Sequence, residues 1–352
     1  MEDIVRQKLS EIVAEYGVSL LEDSKRCEDL LKNSLDEYNK EISALVIALE
    51  AKIPWDLLET KGETLFQDIK EQFTTRLVEK NSLSKEDSEW AVISWAIALG
   101  ILDHCDLGDL YYDQGEHDDA IREYKKAIKI DPEVLWAHHQ LAEIYYELDN
   151  YDGAIRELNE VIRIDSDNYD AHYTLGSIYY HTLKEYDSAA REYKEAIRIE
   201  PDNYYAHNDL GLTYNVQGKY DDAIREFKEV IRINPKHYFA YNDIGIAYHN
   251  QGKYDEAIQT YEKAISINPN MDESYYFLGL AYDKQGKFDD AIREFKKAIK
   301  ISPHNYFAHN ALGDIRLRQG KVDQAIREYE KAFKINPNDK YALIKLNELL
   351  LE

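Results

Sequence analysis

Apolar and polar positions repeat every 34 residues over the last two-thirds of the chain. The segment Tyr204–His237 shows the pattern most completely. The proline near its end, Pro235, recurs at the same spacing as Pro269, Pro303 and Pro337. The pattern also continues backwards to Pro132, with one extra residue in the repeat that begins at Tyr169. A fixed period of this length predicts a stack of similar units, because one such unit cannot bury both of its faces alone.

Each repeat is predicted to form a helical hairpin. Apolar residues recur at helical spacing in two stripes, which in the segment Tyr204–His237 are Ala206, Leu210 and Tyr214, then Ala223, Phe227 and Val230. Gly218 separates the stripes and suits the left-handed backbone that ends a helix. Pro235 ends the second stripe, since proline cannot continue a helix.

These positions resemble the tetratricopeptide repeat family. The family's signature positions are filled here by Leu210, Gly211, Tyr214, Tyr220, Ala223, Phe227 and Pro235, with His207 where tryptophan is usual. The resemblance implies an all-α fold, a seven-repeat right-handed superhelix (an α-solenoid) over residues 101–339. The expected repeats are 101–134, 135–168, 169–203, 204–237, 238–271, 272–305 and 306–339. Residues 340–352 are expected to form a capping helix, with Ala342, Leu346 and Leu350 facing inward.

The repeats depart from the family pattern at a few positions. Asp149 stands where the turn glycine is expected, and aspartate tolerates the left-handed backbone better than most residues. The third repeat has its extra residue around His181–Glu185 and no turn glycine. Arg316 replaces a tyrosine in the last repeat. None of these changes is expected to disrupt the fold.

Residues 1–100 do not share the period and are predicted to form a separate all-helical domain. Expected helices include Glu2–Tyr16, one capped by Ser24, one capped by Asn39 and one started by Ser84, with only a short turn at Trp55–Leu58. The run WAVISWAIALG loosely resembles a helical module of bacterial multidomain signalling proteins, and this resemblance implies no activity. The short linker predicts that this domain docks onto the first repeat.

Charge and composition narrow the functional classes. The formal net charge of −25 predicts repulsion from nucleic acid and from anionic lipid, so neither is expected as a partner. Two cysteines provide neither a disulfide framework nor a metal spacing, which favours a reducing compartment. The N-terminus lacks the pattern of a secretory signal, and no apolar run is long enough to span a membrane. We therefore expect a cytoplasmic protein.

The histidines and acids suggest a metal or catalytic site, but the repeat explains them better. The fourth position of five repeats is occupied by His104, His138, His172, His207 and His309. Successive copies lie about 8–10 Å apart, the usual helix-packing distance, so they cannot share one metal ion. We predict that they pack between helices. The sequence also lacks a phosphate-binding loop, an HExxH motif and a nucleophile elbow, so we predict neither a cofactor nor an enzyme.

The family resemblance implies that the second, fifth, ninth, twelfth and thirteenth positions of each first helix line a concave groove that binds a partner. The candidate groove residues are Asp109, Tyr112, Asp113, Trp136, His139, Glu143, Tyr146, Glu147, Tyr173, Tyr180, Tyr205, Asn208, Asn215, Phe239, Asn242, Asn250, Tyr276, Phe307 and Asn310. The repeat signature does not require the aromatic rings at the second and twelfth positions, and exposed aromatic rings are candidate anchors for a partner. Ordinary partial burial is the alternative explanation.

The candidate groove residues differ in charge along the array. Acids dominate the first two repeats and asparagines the later ones, which favours a partner whose basic and apolar residues lie near the first repeats. The alternative is that this distribution only reflects the acidic bias of the whole chain. Cations are missing from the fifth and ninth positions, so we predict that the groove does not bind the C-terminal carboxylate of a chaperone tail.

We predict a protein–protein interaction scaffold that binds a partner protein or peptide in its groove. The N-terminal domain would serve as a second interaction or oligomerisation module. The alternative is an autoinhibited regulatory subunit whose groove is occupied by its own N-terminal domain. Because Leu343, Ile344, Leu349 and Leu351 add apolar surface to the capping helix, we expect this helix either to join two chains or to dock a second protein. A homo-oligomer would form through this helix or through the N-terminal domain. The alternative is a terminus with scattered surface leucines, which are common.

Overall fold

The computed structural model describes residues 2–35, 37–60 and 66–350. Within these ranges the chain forms twenty-one α-helices and no strand, so the all-α prediction is confirmed. The chain divides into two compact lobes, Met1–Asp165 and Ser166–Glu352. We call them the N-terminal lobe and the C-terminal lobe, and each is described by itself.

The N-terminal lobe begins with a bundle of six helices. They are α1 (Glu2–Tyr16), α2 (Ser24–Ser34), α3 (Asn39–Glu50), α4 (Ile53–Thr60), α5 (Phe66–Asn81) and α6 (Lys85–Ala98). Trp95 of α6 is fully buried in the bundle, and its indole N–H donates to the carbonyl oxygen of Leu45 at 3.1 Å. This bond satisfies the one polar atom of the side chain, which lets the largest ring of the bundle lie in the core.

Several predicted helix starts in this bundle shift by one residue. Asp23, not Ser24, caps α2, because its carboxylate accepts from the backbone N–H of Arg26 at 2.9 Å. Asn39 is the first residue of α3 and not its cap. Ser84 does cap α6 as predicted, accepting from the N–H of Asp87 at 3.0 Å.

The expected short turn at Trp55–Leu58 is wrong. These residues belong to α4, which begins at Ile53. Pro54 lies in the first turn of this helix, where a backbone N–H has no partner within the helix and its loss costs little. The proline therefore lies at the start of a helix here instead of interrupting one.

Two hairpins complete the N-terminal lobe. They are α7 (His104–Asp113) with α8 (His117–Ile130), and α9 (Leu135–Glu147) with α10 (Tyr151–Ile164). Ile93 and Ile97 of α6 pack against Leu107 and Leu110 of α7 in one apolar cluster. The bundle is therefore docked on the first repeat, as the short linker predicted.

The C-terminal lobe contains five further hairpins and a last single helix. The hairpins are α11 (Tyr169–Ser177) with α12 (Tyr186–Ile199), α13 (Tyr204–Val216) with α14 (Tyr220–Ile233), α15 (Tyr238–Asn250) with α16 (Tyr254–Ile267), α17 (Asp272–Lys284) with α18 (Phe288–Ile301), and α19 (Tyr306–Arg318) with α20 (Val322–Ile335). The last helix is α21 (Lys340–Leu350). Glutamines at the ends of first helices also link neighbouring repeats. Gln251, for example, donates to Asp221 at 2.8 Å.

A close contact between a glycine and an aromatic ring sets the spacing inside each hairpin. A Cβ atom placed on Gly245 would lie only 2.4 Å from Cε1 of Tyr261. The same contact recurs in five other repeats, as Gly108–Tyr124, Gly176–Tyr193, Gly211–Phe227, Gly279–Phe295 and Gly313–Tyr329. The second repeat instead has Ala142 and Leu158 at the equivalent positions. A larger residue on the first helix is thus matched by a smaller one on the second.

The turns of the second and third repeats tolerate the missing glycine in different ways. Asp149 takes the left-handed conformation with φ 57°, as predicted, where other repeats have a glycine such as Gly218 at φ 73°. In the third repeat Lys184 takes the same conformation at φ 58°. The extra residue of this repeat is absorbed by a π-helical segment, Ile178–Leu183, that continues α11.

The capping helix α21 buries a slightly different stripe from the one expected. Ala342 and Leu346 are buried against the last hairpin as predicted, but Leu350 is 65% exposed and Leu349 packs inward instead. Leu343 and Ile344 remain 42% and 54% exposed. Leu351 lies outside the described residues. Self-association through this helix stays a prediction.

The glycine–ring contact predicts the effect of two substitutions. Alanine is intrinsically the better helix former by about 1 kcal/mol, yet we expect Gly245→Ala to destabilise the protein by about 1–3 kcal/mol because its Cβ overpacks the Tyr261 ring. Combining it with Tyr261→Leu recreates the Ala142–Leu158 pair, so the double variant should be more stable than the two single losses predict. Chemical denaturation of all four proteins measures this coupling. Strictly additive losses would contradict the contact.

Candidate partner-binding surface

The second position of several first helices presents an exposed aromatic ring. In the C-terminal lobe Tyr205, Phe239 and Phe307 are 56%, 48% and 52% exposed, and in the N-terminal lobe Trp136 is 50% exposed. Each of the three rings in the C-terminal lobe packs on the tyrosine just before it, with ring centroids 4.2, 4.3 and 4.0 Å apart. Such packing restricts the ring before any partner arrives, which lowers the entropic cost of binding. These rings are exposed in the structure, as expected.

Much of the expected acidic end of the surface is already engaged within the N-terminal lobe. Asp109 accepts from the indole N–H of Trp136 at 3.0 Å and from the hydroxyl of Tyr124 at 2.6 Å. Glu147 accepts from the hydroxyl of Tyr112 at 3.0 Å. Burial, followed by this bond to Glu147, raises the pKa of Tyr112 to about 12. Among the four predicted acids, Asp113 and Glu143 are the exposed ones whose charges face water without such a bond in the described structure.

The last repeat reproduces the contact made by Asp109. Asp314, at the same ninth position, accepts from the hydroxyls of Tyr329 and Tyr341 at 2.7 and 2.8 Å. In the repeats between them that belong to the C-terminal lobe, the ninth position holds Ser177, Leu212, Ile246 and Leu280. An aspartate at this position therefore satisfies a tyrosine hydroxyl, and its replacement by leucine or isoleucine removes that acceptor.

Two of the asparagines that were expected to contact a partner are buried in the structure, which corrects that expectation. Asn242 is only 3% exposed and accepts from the hydroxyl of Ser274 in the next repeat at 3.1 Å. Asn310 is 7% exposed and donates to Asp339 at 2.6 Å. Both side chains tie neighbouring segments together and are not presented to a partner. The other three amides, Asn208, Asn215 and Asn250, are partly or fully accessible.

The remaining candidates are accessible to different degrees. Tyr146 is 42% exposed, whereas His139, Tyr173, Tyr180 and Tyr276 are half-buried. The Tyr173 hydroxyl donates to Asp209 at 2.7 Å. Tyr276 lies beside the exposed Phe307 ring, with 6.2 Å between ring centroids. These half-buried rings border the exposed ones and extend the apolar part of the surface within the C-terminal lobe.

Sequence reasoning missed an uncompensated polar pair in the middle of the C-terminal lobe. Burial, and then the nearby charge of Glu273, raises the pKa of Asp243 to about 7. The ring of Tyr261 is fully buried, and within the described residues its hydroxyl has no hydrogen-bond partner. Asp243 lies close enough for its charge to raise the pKa of Tyr261 further beyond the effect of burial. A missing acceptor at the ninth position, Ile246, is the one sequence signal that could have indicated this site.

Asp209 and Asp243 lie near the same aromatic ring. Burial is the main reason that the pKa of Tyr180 is raised, and the charges of Asp209 and Asp243 both add to the effect. Asp209 already accepts hydrogen bonds from Tyr173 and Asn208, whereas no hydrogen bond to the Asp243 carboxylate is found within the described structure. Of these two acids, Asp243 is therefore the one that can still accept a hydrogen bond from a cation.

The fourth-position histidines pack between helices as predicted, and each also binds a glutamate. His138, His172, His207 and His309 are at most 7% exposed. Their Nδ1 atoms lie 2.6–2.9 Å from carboxylates of the second helix, as do those of the more exposed His104, in the pairs His104–Glu123, His138–Glu157, His172–Glu192, His207–Glu226 and His309–Glu328. Burial alone would lower the pKa of His207, but its bonds to Glu226 and to a backbone carbonyl outweigh it and raise the pKa.

The glutamates of these pairs follow each histidine by 19 residues, or 20 where the third repeat has its extra residue, and this spacing is visible in the sequence. Over the described ranges, no group of three or more histidine, cysteine or acidic side chains is placed to hold a metal ion. In the same ranges, no helix is both long enough and apolar enough to cross a bilayer.

Models of known repeat families match the part of the chain that shows the 34-residue period. Family models described as TPR repeat match residues 108–149, 142–182 and 247–286, and models described as tetratricopeptide repeat match residues 183–237, 276–340 and 226–259. Together they span residues 108–340 without a gap. No curated protein sequence matches the chain.

Solved structures with a similar fold include several proteins of this kind. A tetratricopeptide repeat protein from Parabacteroides merdae is 20% identical with a TM-score of 0.53, and the match covers 70% of this chain and 97% of that one. The C-terminal part of a TPR repeat-containing protein from Cytophaga hutchinsonii is 18% identical with a TM-score of 0.55, covering 68% and 98%. MamA is 30% identical with a TM-score of 0.42, covering 46% and 95%.

The raised pKa of Asp243 predicts a specific dependence of stability on pH. The unfolded carboxyl ionises near pH 4 and the folded one near pH 7, so stability falls as the pH rises between these values. We expect Asp243→Asn to be more stable than the unaltered protein by roughly 1–3 kcal/mol at about pH 8, and the difference to disappear near pH 4. Denaturant unfolding at both pH values measures it. Asp289→Asn, at an exposed position of the same lobe, makes the same charge change, and an equal gain there would contradict the assignment.

Proposed function

The chain belongs to the tetratricopeptide repeat family, and on that premise we propose that it is a non-catalytic scaffold that holds an extended segment of a partner protein. The segment lies along the first-helix surface of the C-terminal lobe. Within each lobe, we define the first-helix surface as the side chains at the second, fifth, ninth, twelfth and thirteenth positions of the first helices. The N-terminal bundle α1–α6 provides a second interaction or oligomerisation surface.

The observation that carries this proposal is the row of exposed aromatic rings in the C-terminal lobe. Tyr205, Phe239 and Phe307 share one position of the repeat, and each is about half exposed while packed on a neighbouring ring. Aromatic residues are the side chains that most often dominate binding energy at protein interfaces. Repetition of the same ring along a stack suits a ligand that is extended, because each anchor meets a different part of its chain.

The chemistry between the rings favours a basic residue in the partner. Asp243 and the Tyr261 hydroxyl lack hydrogen-bond partners within the described structure, and Glu273 adds a second negative charge nearby. A lysine or arginine beside the half-buried Asp243 would lower the cost of ionising its carboxyl. The accessible amides of Asn208 and Asn250 can bond backbone groups of the same segment.

Binding of synthetic peptides to the full chain tests the proposal. We expect peptides that alternate leucine with lysine to bind, and length-matched peptides that alternate leucine with glutamate not to bind. Phe239→Ala and Phe307→Ala should each weaken the lysine peptide about 5–10-fold, since loss of an anchor ring costs more than about 1 kcal/mol. Val322→Ala, which truncates an apolar side chain that is 41% exposed at the start of a second helix and lies outside this surface, is the control and should change little.

Asp243→Asn separates the charge contribution from that of the rings. It should weaken the lysine peptide and leave a peptide with norleucine in place of lysine unaffected. Equal affinity for lysine and glutamate peptides, together with no loss in the two phenylalanine variants, would overturn the proposed surface.

An autoinhibited chain, in which the N-terminal bundle covers the groove, is the second candidate. Within the N-terminal lobe, Trp136, Glu143 and Tyr146 stay exposed although the bundle is docked on the first repeat. This exposure favours an open surface at the first two repeats. Hydroxyl-radical labelling of the full chain tests the rest: we expect Phe239 and Phe307 to react in the free protein, whereas protection that a bound peptide does not increase would favour autoinhibition.

A further inference from the structure

A cavity lies in the N-terminal lobe between the helical bundle and the first repeat. Its volume is about 480 Å³, and its wall includes Arg6 of α1, Ile97 of α6, Glu123, Lys126 and Lys129 of α8, and the end of that helix at Ile130. Cavities of this size are typical of small-molecule sites. The first-helix surface proposed above contributes none of these side chains, so the cavity has to be explained separately.

Arg6 is the feature of the cavity that lacks a structural explanation. The residue is only 7% exposed, its Nε donates to the hydroxyl of Ser94 at 3.1 Å, and its guanidinium lies 5.7 Å from the centroid of the Trp90 ring. Among residues 4–35, 37–58 and 69–350, whose side chains the structure describes, no carboxylate forms an ion pair with this guanidinium. A cation that is largely buried without a counter-ion is unfavourable, so among these side chains the position favours an anionic ligand.

Glu123 lies in the same wall but its charge is used elsewhere. Its carboxylate is 1% exposed and is bound by His104 at 2.9 Å, by Lys126 at 2.9 Å and by Arg122 at 3.5 Å. Burial opposes its ionisation, but the bonds from His104 and Lys126 outweigh burial and lower the pKa of Glu123 to about 2. Glu123 is therefore ionised and bound by other donors, and it does not compensate the charge of Arg6.

Two further side chains add a positive charge and an apolar surface to the cavity. Lys129 is exposed at the rim, and within the described structure it forms no ion pair. Ile130 is 73% exposed, an unusual position for isoleucine, and it lies beside the half-buried Ile97. The cavity thus combines a buried cation, a second cation at its rim and apolar walls, in a chain whose formal net charge is −25.

We propose that this cavity binds a small organic anion, in which a carboxylate or phosphate group pairs with Arg6 and a short apolar body lies against Ile97 and Ile130. The guanidinium contacts Ser94 and Trp90 and also interacts with the Tyr111 hydroxyl, so its position is fixed before the ligand arrives and its planar fork can pair with an anion in the cavity. Lys129 adds a second charge at the entrance. The ligand contacts both the bundle and α8, so its binding stabilises the docking of the bundle on the first repeat.

Calorimetric titration of the full chain with four probes tests this site. The probes are inorganic phosphate, phenyl phosphate, acetate and hexanoate. We expect the two that carry an apolar body to bind more tightly than inorganic phosphate and acetate. Preference for phenyl phosphate or for hexanoate then distinguishes a phosphate from a carboxylate as the natural group. Absence of binding by all four at millimolar concentration would overturn the proposal.

Three variants locate the binding. Arg6→Gln should weaken the best probe about tenfold or more, because a charge-assisted bond pair is lost. Lys129→Gln, at an exposed position that the fold does not need, should weaken it several-fold even if Arg6→Gln proves unstable. Lys300→Gln is the matched control, since Lys300 occupies the same position of the sixth repeat. Affinity that is unchanged by Lys129→Gln and by a folded Arg6→Gln, or lowered equally by Lys300→Gln, would place the anion elsewhere and overturn the assignment.

Discussion

The contact between a glycine of the first helix and a ring of the second is the constraint on which each hairpin depends. The ring occupies the volume that a Cβ would take, as the 2.4 Å separation at Gly245 and Tyr261 makes clear. The residue at one position therefore limits the size of the residue at the other. Where the glycine becomes Ala142, the ring becomes Leu158 and the shared volume is kept. Because each hairpin keeps the same thickness, successive hairpins can stack on one another in the same way within each lobe.

The same packing places the polar groups of the hairpins. It therefore determines which tyrosine hydroxyls have a hydrogen-bond acceptor. A tyrosine hydroxyl that reaches the first-helix surface is satisfied where the ninth position is aspartate, as at Asp109 and Asp314. At Tyr261 the equivalent residue is Ile246, and the hydroxyl has no partner within the described residues. The apolar Ile246 of the first helix thus leaves the buried Tyr261 hydroxyl of the second helix without the acceptor that aspartate provides elsewhere, which lowers the stability of this hairpin.

The repeat period made the fold predictable, because the residue pattern of one hairpin recurs in every repeat and can be compared between them. Helix ends, the left-handed Asp149 and the burial of the histidines all followed from comparing equivalent positions. Features that occur once could not be found in this way. The π-helical segment Ile178–Leu183, the helix that begins at Ile53 and the cavity at Arg6 each occur once in the described structure.

The candidate site was harder to predict than the fold, since the same residue type plays two roles at one position. Asn208 and Asn242 occupy equivalent positions, yet Asn208 is accessible whereas Asn242 is buried by its bond to Ser274. The difference lies in the residue of the next repeat that faces the amide. When each repeat is considered alone, the sequence identifies the surface positions. It does not show which of their side chains are already hydrogen-bonded to the next repeat.

The π-helical segment of the third repeat has a consequence for how a long ligand is positioned. Identical hairpins would offer a bound chain equivalent sites at every step of one repeat, so the chain could slide along them without losing contacts. The extra residue is confined to the π-helical segment Ile178–Leu183, since Tyr193 of the following helix keeps the usual contact with Gly176. A chain bound on the proposed surface and displaced by one repeat would meet this different helix end, so the insertion would favour one register of such a ligand.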